Sequence, residues 1–353
     1  MQEVVVGMSG GVDSSVTAHL MQAAGHRVTG LFMRNWREEG GPCPAAQDAE
    51  DVAAVCAVLG IPFYTVDFAD EYWDRVFARF VEDYRRGYTP NPDILCNREI
   101  KFDAFLQRAL DLGAERVATG HYARIVERDG VPHLARGADP EKDQSYFLYA
   151  IRREVLGRIL FPIGNLPKRE VRALARQVGL PTAAKKDSTG ICFIGKRDFR
   201  PFLAQYIQRT PGAFVTPEGK VVGEHEGMSF YTLGQRKGLA IGGEGEAWYV
   251  VDKDPATNTV TVVQGEQHPL LYQTTLQADE INWLSDVTFP LRCTAKIRYR
   301  QPDQACTVTQ MGTDKLRVEF DQPQKAVTPR QSVVFYDGEI CLGGGMILPK
   351  ETK

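Results

Sequence analysis

The chain has 353 residues, and 43% of them are hydrophobic, which is ordinary for a soluble globular protein of two or three domains. The formal net charge of −3 gives no overall signal for nucleic acid, so any RNA binding would have to use local basic patches. No apolar run is long enough to span a bilayer, and no leader segment precedes the first strand, so we expect a cytoplasmic protein with no membrane partner.

The seven cysteines are widely scattered, and an odd number of them is a poor framework for disulfides. None stands in a Cys-x-x-Cys or Cys/His arrangement with zinc spacing, so no metal site built from protein ligands alone is predicted. Buried, unreactive thiols are the default, and only its neighbours can mark a particular cysteine for chemistry.

The chain opens with a strand, a glycine-rich loop and a helix. Three valines at positions 4–6 predict a strand buried on both faces, and helical spacing runs from Ser14 to Ala24. This layout directs backbone N–H groups and a positive helix end at a phosphate. The loop lacks the lysine of a Walker A motif and the glycine spacing of a dinucleotide-binding motif.

The loop from Ser9 to Ser14 resembles the SGGxDS loop of the ATP pyrophosphatase (PP-loop) superfamily, whose members cleave ATP between the α and β phosphates. On this interpretation Ser9, Ser14 and Ser15 offer hydroxyls to pyrophosphate oxygens, and Asp13 helps to hold Mg²⁺. The alternative is a simple turn capped by Asp13 or Ser14. We call residues Gly7–Ser14 the nucleotide loop.

Strands and helices then alternate, which predicts an α/β fold with a doubly wound parallel sheet. Further strands are predicted at 27–33, 61–68 and 117–122, and helices at 47–59, 70–87 and 98–112. The nucleotide is expected at the carboxyl ends of the strands. Met33 ends the second strand, where it either contacts an adenine or packs in the core, and the pattern alone favours the core.

Two prolines around Asn91 predict a rigid exposed turn at Asn91-Pro92-Asp93. Cys96 stands just before the helix predicted from Arg98, so a helix N-terminus and Arg98 would favour its thiolate. A lone cysteine is nevertheless inert more often than not.

Later segments offer weaker signals. Gly120 lets the backbone approach another group closely, and His121 is either an acid–base group or a structural histidine. The charged stretch ending at residues 142–144 predicts a solvated loop. A helix at 167–178 turns its basic residues outward: Lys168, Arg169, Arg172 and Arg176. Such a face is usually solvated, and the alternative is contact with phosphates. Cys192 follows two lysines and lies between Gly190 and Gly195, where it is either a thiolate or part of a buried strand.

From about residue 211 short alternating segments replace the helices. We expect a nucleotide-binding domain at 1–210, a central β-rich domain at 211–275 and a C-terminal β-barrel of five or six strands at 276–353. Basic residues at 292, 296, 298 and 300 predict one basic face of a strand, which contacts RNA or merely protects a sheet edge.

Taken together, these motifs closely resemble the bacterial tRNA-specific 2-thiouridylases over nearly the whole chain. The resemblance rests on the nucleotide loop and on the segments Thr89–Asn97, Ala118–Tyr122, Lys142–Leu148, Lys186–Gly195, Thr232–Leu239 and Arg298–Gln301. That family replaces the C2 oxygen of the wobble uridine of certain tRNAs with sulfur.

The resemblance implies a role for each motif. ATP adenylates the C2 oxygen in a pocket made of Gly7, Met8, Ser9, Gly10, Gly11, Val12, Asp13, Ser14, Met33 and Gly120. Cys192 carries a persulfide received from a cysteine desulfurase or a sulfur-relay protein. Cys96 resolves it through a transient Cys96–Cys192 disulfide. Asn91, Pro92 and Asp93 grip the flipped-out base, with Asp93 as a candidate acid–base group.

The same resemblance predicts the partners. The substrates would be tRNAs for Lys, Glu and Gln, contacted by Lys142, Asp143, Gln144, Tyr299 and Arg300. Two alternatives stay open. An enzyme that adenylates another substrate, such as an amide-forming ligase, leaves Cys96 and Cys192 without a purpose. A non-catalytic tRNA-binding protein predicts damage in the nucleotide loop, and none is seen.

Overall fold

A computed structural model describes residues 1–37, 44–187 and 199–350. Cys192 therefore lies outside the described residues. Three sheets organise the rest of the chain. Within these ranges, none of the helices is long and apolar enough to cross a bilayer.

The first sheet is parallel, as predicted. Its strands are β1 Glu3–Met8, β2 Arg27–Arg34, β3 Phe63–Asp67, β4 Arg116–Thr119 and β7 Ile159–Leu160. Between β4 and β7 the chain forms a hairpin of β5 Ala123–Arg128 and β6 Val131–Arg136, which is not part of this sheet. The spatial order is β3-β2-β1-β4-β7, and each neighbouring pair is parallel. The loop after β1, the central strand, is thereby placed at the middle of the carboxyl edge, where nucleotides bind in such sheets.

Helices cover both faces of this sheet. They are α1 Val12–Ala23, α2 Pro44–Leu59, α3 Ala69–Tyr72, α4 Ala78–Arg85, α5 Pro92–Leu95, α6 Phe105–Asp111, α7 Ser145–Leu148, α8 Lys168–Gln177 and α9 Phe199–Leu203. Successive valines of β1 point to opposite faces. Val4 and Val6 pack in one apolar cluster and Val5 in another. The doubly wound α/β prediction is confirmed.

The helix that carries Cys96 begins earlier than the sequence predicted. It starts at Pro92, and a π-helical stretch, Cys96–Ala104, joins α5 to α6. Pro92 occupies the first helical position, where its missing N–H costs nothing, and Asn91 caps the helix. Pro92 therefore starts a helix instead of forming part of a turn. Pro92 is buried, so the predicted exposed turn is wrong at that residue.

A four-stranded central sheet follows in the order β10-β11-β8-β9. Its strands are β8 Gly212–Val215, β9 Val221–His225, β10 Trp248–Asp254 and β11 Thr259–Gln264. They lie in the part of the chain where a β-rich domain was predicted.

The last six strands close into a barrel, which confirms the predicted architecture. They are β12 Tyr272–Trp283, β13 Leu291–Lys296, β14 Gln304–Met311, β15 Lys315–Lys325, β16 Ser332–Asp337 and β17 Ile340–Ile347. Pairing of β12 with both β15 and β17 closes the ring. The β5–β6 hairpin of the first domain extends this sheet through the pair Ala135–Ile340.

The predicted basic face of one strand is wrong. Strand β13 ends at Lys296, so the alternation does not continue to Arg300. Arg292 pairs with Asp321 at 2.7 Å, and Arg298 donates to the carbonyl oxygen of Lys325 at 3.2 Å and to that of Ala326. Arg300 is exposed with a left-handed φ of 64°.

Candidate active site

Serine hydroxyl groups fix the nucleotide loop through hydrogen bonds within the loop and at the start of α1. The Ser9 N–H donates to Ser14 Oγ at 3.2 Å, and the Ser9 and Ser14 hydroxyls lie 3.2 Å apart. The Ser15 hydroxyl donates to the Gly11 carbonyl at 2.8 Å. Gly10 has a φ of 71° and sits so close to α2 that a Cβ would lie 2.7 Å from the Asp48 carbonyl oxygen. The loop thus has the shape that a phosphate group needs, ahead of the α1 N-terminus.

Asp13 of this loop is held by two groups that come from elsewhere in the chain. The Tyr122 hydroxyl donates to its Oδ1 at 2.8 Å, and Lys168 Nζ lies 2.8 Å from both carboxylate oxygens. Burial and the Asp13 charge raise the pKa of Tyr122 far above its usual value, so this phenol stays protonated as a donor. The Asp13 carboxylate is thus fixed in the loop that the sequence predicts to bind phosphates.

Lys168 was predicted to face solvent, and that prediction is wrong. Its side chain is only 12% exposed because α8 begins directly beside the loop. Helical periodicity correctly placed Lys168 on the basic side of α8. It carried no information that this side meets Asp13 in the first turn of α1.

Asp187 gathers three cations next to this site. Lys142 Nζ lies 2.9 Å from it, Lys168 Nζ 2.9 Å and Arg172 Nη2 2.6 Å. Burial opposes its ionisation, but the hydrogen bonds from Lys168 and Lys142 hold the pKa of Asp187 well below its usual value. We call Asp187, Lys142, Lys168 and Arg172 the Asp187 cluster. It joins a predicted tRNA contact, Lys142, to the nucleotide loop.

Lys185 supports the loop from the other side. Its Nζ donates to the Gly10 carbonyl at 2.9 Å and to Asp48 at 2.7 Å, and it also pairs with Asp51. Burial acts to lower the pKa of Lys185, but these two aspartates raise it on balance. The sequence suggested Lys185 as part of the basic surroundings of Cys192, whereas the structure uses it to fix Gly10.

The remaining predicted nucleotide residues lie around this edge of the sheet. A Cβ at Gly120 would lie 2.8 Å from the Asp13 carbonyl carbon and from the Ser14 nitrogen, so the turn after β4 touches the loop backbone. This confirms the predicted close approach. Met33 is buried and packs in the cluster that contains Val5.

One residue that the sequence did not indicate stands beyond the end of β2. Asn35 is 1% exposed, and neither its amide nitrogen nor its amide oxygen has a hydrogen-bond partner in the described structure. Because an unsatisfied buried amide costs stability, this side chain is suited to a ligand that both donates and accepts hydrogen bonds.

His121 is buried between a hydroxyl group and a lysine. Its Nδ1 lies 2.8 Å from Thr119 Oγ1 and its Nε2 lies 3.4 Å from Lys101 Nζ. Complete burial and then the Lys101 charge lower its pKa well below the usual value. Of the two roles left open, the structural one fits these surroundings.

The predicted base-binding motif and Cys96 share one helix. Asn91 Oδ1 accepts the Asp93 N–H at 3.1 Å as a helix cap. Cys96 is completely buried in the second turn of this helix. The next residue, Asn97, donates to the Phe147 carbonyl at 3.0 Å and ties this helix to α7.

The two predicted tRNA-contact segments are brought together. The Tyr299 ring centroid lies 4.5 Å from that of Phe147, and the Arg300 guanidinium lies 5.3 Å from the Tyr299 ring centroid. Phe147 follows closely after Gln144 in the chain. The barrel thus presents Tyr299 and Arg300 beside the segment 142–147.

Two members of these segments make internal hydrogen bonds. Asp143 is buried and accepts from the N–H groups of Gly137 and Ser145 at 3.0 and 3.1 Å. Gln144 Oε1 accepts the Tyr122 N–H at 2.9 Å. Both side chains shape the loop that presents Lys142.

Comparison with known proteins fits this arrangement. A family model described as a tRNA methyl transferase HUP domain matches residues 2–196. A tRNA methyl transferase PRC-barrel domain matches residues 200–264, and an aminomethyltransferase beta-barrel domain matches residues 273–347.

Curated relatives match at nearly full length. The tRNA-specific 2-thiouridylase MnmA of Halalkalibacterium halodurans is 55% identical over 98% of this chain and 94% of that protein. The protein of the same name from Methylococcus capsulatus is 57% identical over 98% of this chain and 95% of that protein.

Among solved structures, the U34-tRNA thiolase NcsA of Methanococcus maripaludis is 16% identical and covers 58% of this chain and 64% of that chain. Its TM-score of 0.37 is too low to carry an argument. The identity to the curated enzymes is above one half along almost the entire sequence, and the chain therefore belongs to the family of tRNA-specific 2-thiouridylases.

Proposed function

We propose that this enzyme carries out ATP-dependent 2-thiolation of the wobble uridine of tRNA. The observation that supports the chemistry best is the intact nucleotide loop, with Asp13 held between Tyr122 and Lys168. A loop kept only as a relic would have no reason to recruit two groups from distant parts of the chain.

The reaction needs ATP because a ring carbonyl oxygen is a poor leaving group. The C2 oxygen of the uridine attacks the α-phosphorus, and pyrophosphate leaves. Sulfur then attacks C2, and AMP departs with the original oxygen. Proposed nucleotide contacts are Gly7, Met8, Ser9, Gly10, Gly11, Val12, Asp13, Ser14, Met33 and Gly120.

Mg²⁺ fits the donor set of this loop. In the described parts of the chain, no three His, Cys, Asp or Glu side chains gather into a metal site. Mg²⁺ is commonly bound by one or two carboxylates together with substrate phosphates, and Asp13 is such a carboxylate. When bound there, the ion would neutralise charge on the phosphates.

Sulfur transfer uses two cysteines. The terminal sulfur of a Cys192 persulfide attacks C2, and the Cys96 thiolate then attacks Cys192 Sγ. The sulfur stays on the base while a Cys96–Cys192 disulfide forms, and a later two-electron reduction restores both thiols. The persulfide comes from a cysteine desulfurase or a sulfur-relay protein.

The tRNA contacts follow the positions described above. We assign the base to Asn91, Pro92 and Asp93, with Asp93 as an acid–base group, and the surrounding RNA to Lys142, Asp143, Gln144, Tyr299 and Arg300. Besides these proposed RNA contacts, the side chains of Asp143 and Gln144 hold the loop in shape through their internal hydrogen bonds. The proposed substrates are tRNAs for Lys, Glu and Gln, and the proposed compartment is the cytoplasm. The proposed domains are residues 1–210, 211–275 and 276–353.

The test is nucleoside mass spectrometry of tRNA after incubation with the enzyme, ATP, Mg²⁺ and a persulfide source. We expect 2-thiouridine at the wobble position, AMP that forms only with tRNA, and no product from Cys192→Ser. An amide-forming ligase would release AMP without thiouridine, and a tRNA-binding relic would give neither product.

A further inference from the structure

Lys168 is the cation that the described structure places on the Asp13 carboxylate of the nucleotide loop, whereas Lys185 contacts the loop at the Gly10 carbonyl. It is the first residue of α8, and its backbone N–H donates to Asp139 Oδ2 at 3.0 Å. That bond fixes the start of the helix and therefore the origin of the lysine side chain. With 12% exposure, the side chain has little freedom to point elsewhere.

The ammonium group of Lys168 is shared between two carboxylates. It lies 2.8 Å from each oxygen of Asp13 and 2.9 Å from Asp187 Oδ1. Asp13 belongs to the loop and Asp187 does not. The ammonium can therefore give up Asp13 and still be held beside the loop by Asp187.

Three cations and three carboxylates meet around this position. Lys142, Lys168 and Arg172 supply three positive charges, and Asp13, Asp139 and Asp187 supply three negative ones. A partly buried ammonium next to preorganised hydroxyls and a helix N-terminus suits a multiply charged anion. The pyrophosphate portion of ATP is such an anion.

We propose that Lys168 binds the pyrophosphate portion of ATP, exchanging Asp13 for phosphate oxygens while Asp187 keeps the ammonium in place. This rests on the proposed function, because it presumes that ATP enters the nucleotide loop. It adds a substrate-binding residue, supplied by α8, that would stabilise the leaving pyrophosphate during adenylation. It also gives Asp187 the role of a positioning residue.

The test compares ligands that contain the pyrophosphate group with one that lacks it. Calorimetric titration with Mg²⁺ present measures binding of ATP, inorganic pyrophosphate and AMP. A lost charge-assisted hydrogen bond weakens binding by about 10- to 100-fold. We expect that loss for ATP and pyrophosphate in Lys168→Met, with AMP affinity unchanged and Lys168→Arg in between.

Arg169→Met is the matched control, because Arg169 is the next residue of α8, carries the same charge and is exposed. It should bind all three ligands as the unaltered protein does. Circular dichroism shows whether each variant is folded. Lys168→Gln provides a second neutral variant should the methionine disturb the helix.

A double-variant cycle separates contact with phosphate from simple neutralisation of Asp13. If Lys168 touches phosphate, Lys168→Met also weakens pyrophosphate binding in an Asp13→Asn background. No effect in that background, or full pyrophosphate affinity in folded Lys168→Met, overturns the inference. An unaltered protein that binds no ATP would instead overturn the proposed function.

Discussion

Gly120→Ala tests whether the turn after β4 sets the position of the nucleotide loop. An added Cβ would lie 2.8 Å from the Asp13 carbonyl carbon and 2.8 Å from the Ser14 nitrogen, both backbone atoms. Ordinary contact begins at 3.4 Å, so the loop and turn have to separate by 0.6 Å (3.4 − 2.8). Gly120 has no left-handed φ, so the whole effect is steric.

The expected cost follows from that displacement. Overpacking of this kind destabilises a protein by about 1–3 kcal/mol, and a misplacement near 1 Å at a reacting centre costs about 100-fold in rate. We expect tRNA-dependent AMP formation to fall about 10- to 100-fold, measured by chromatography of the nucleotides. Gly242→Ala is the control, since a Cβ there meets nothing within 4 Å. If Gly120→Ala forms AMP as fast as Gly242→Ala, the loop does not depend on this contact.

Three further predictions concern sulfur transfer, RNA binding and acid stability. Cys192→Ser should accept no persulfide, whereas Cys96→Ser should load Cys192 yet transfer little sulfur, as peptide mass spectrometry will show; normal turnover by Cys96→Ser with only dithiothreitol present would weaken its assignment. Arg300→Ala should weaken tRNA binding and reduce the log–log salt slope by about one unit, and an unchanged slope in filter binding would exclude a phosphate contact. Burial opposes ionisation of Asp187 but its lysine partners lower its pKa from 3.8. Its ionised form therefore stabilises the fold above that value, and this contribution is lost as the pH falls through the lowered pKa. Urea unfolding of the unaltered protein and of Asp187→Asn should converge in acid, and a difference that persists undiminished there would contradict the assignment.

The features that the sequence predicted correctly are those determined by residues close together in the chain. A run of three valines, a glycine-rich loop and a regular helix specify β1, the nucleotide loop and α1 within a short stretch of chain. The barrel strands were likewise visible as alternating segments. The sequence predicted a barrel but not which strands pair to close it. The closing pair, β12 and β17, joins segments that lie far apart in the sequence.

The site residues that the sequence missed are held by distant partners. Tyr122 and Lys168 meet Asp13 across 109 and 155 positions of the chain. Periodicity tells which side of α8 is polar, but it cannot tell whether that side faces water or another helix. The prediction of a basic strand face was wrong for a related reason. Periodicity does not reveal that Arg292 and Arg298 are already bound by other parts of the chain.

Cys96 was predicted just before a helix, but the structure buries it within one that starts at Pro92. Cys96 lies in the second turn of a helix, and its own N–H is used internally. Full burial also shields a thiol from general oxidants, which suits the resolving role proposed above for Cys96. Its helix is joined to α7 by the bond from Asn97 to the Phe147 carbonyl, and Phe147 carries the Tyr299 ring. The RNA contact proposed at Tyr299 would therefore act on a residue that holds the helix of Cys96. The barrel also reaches this helix through Glu280, whose Oε2 lies 3.9 Å from Arg98 Nη1.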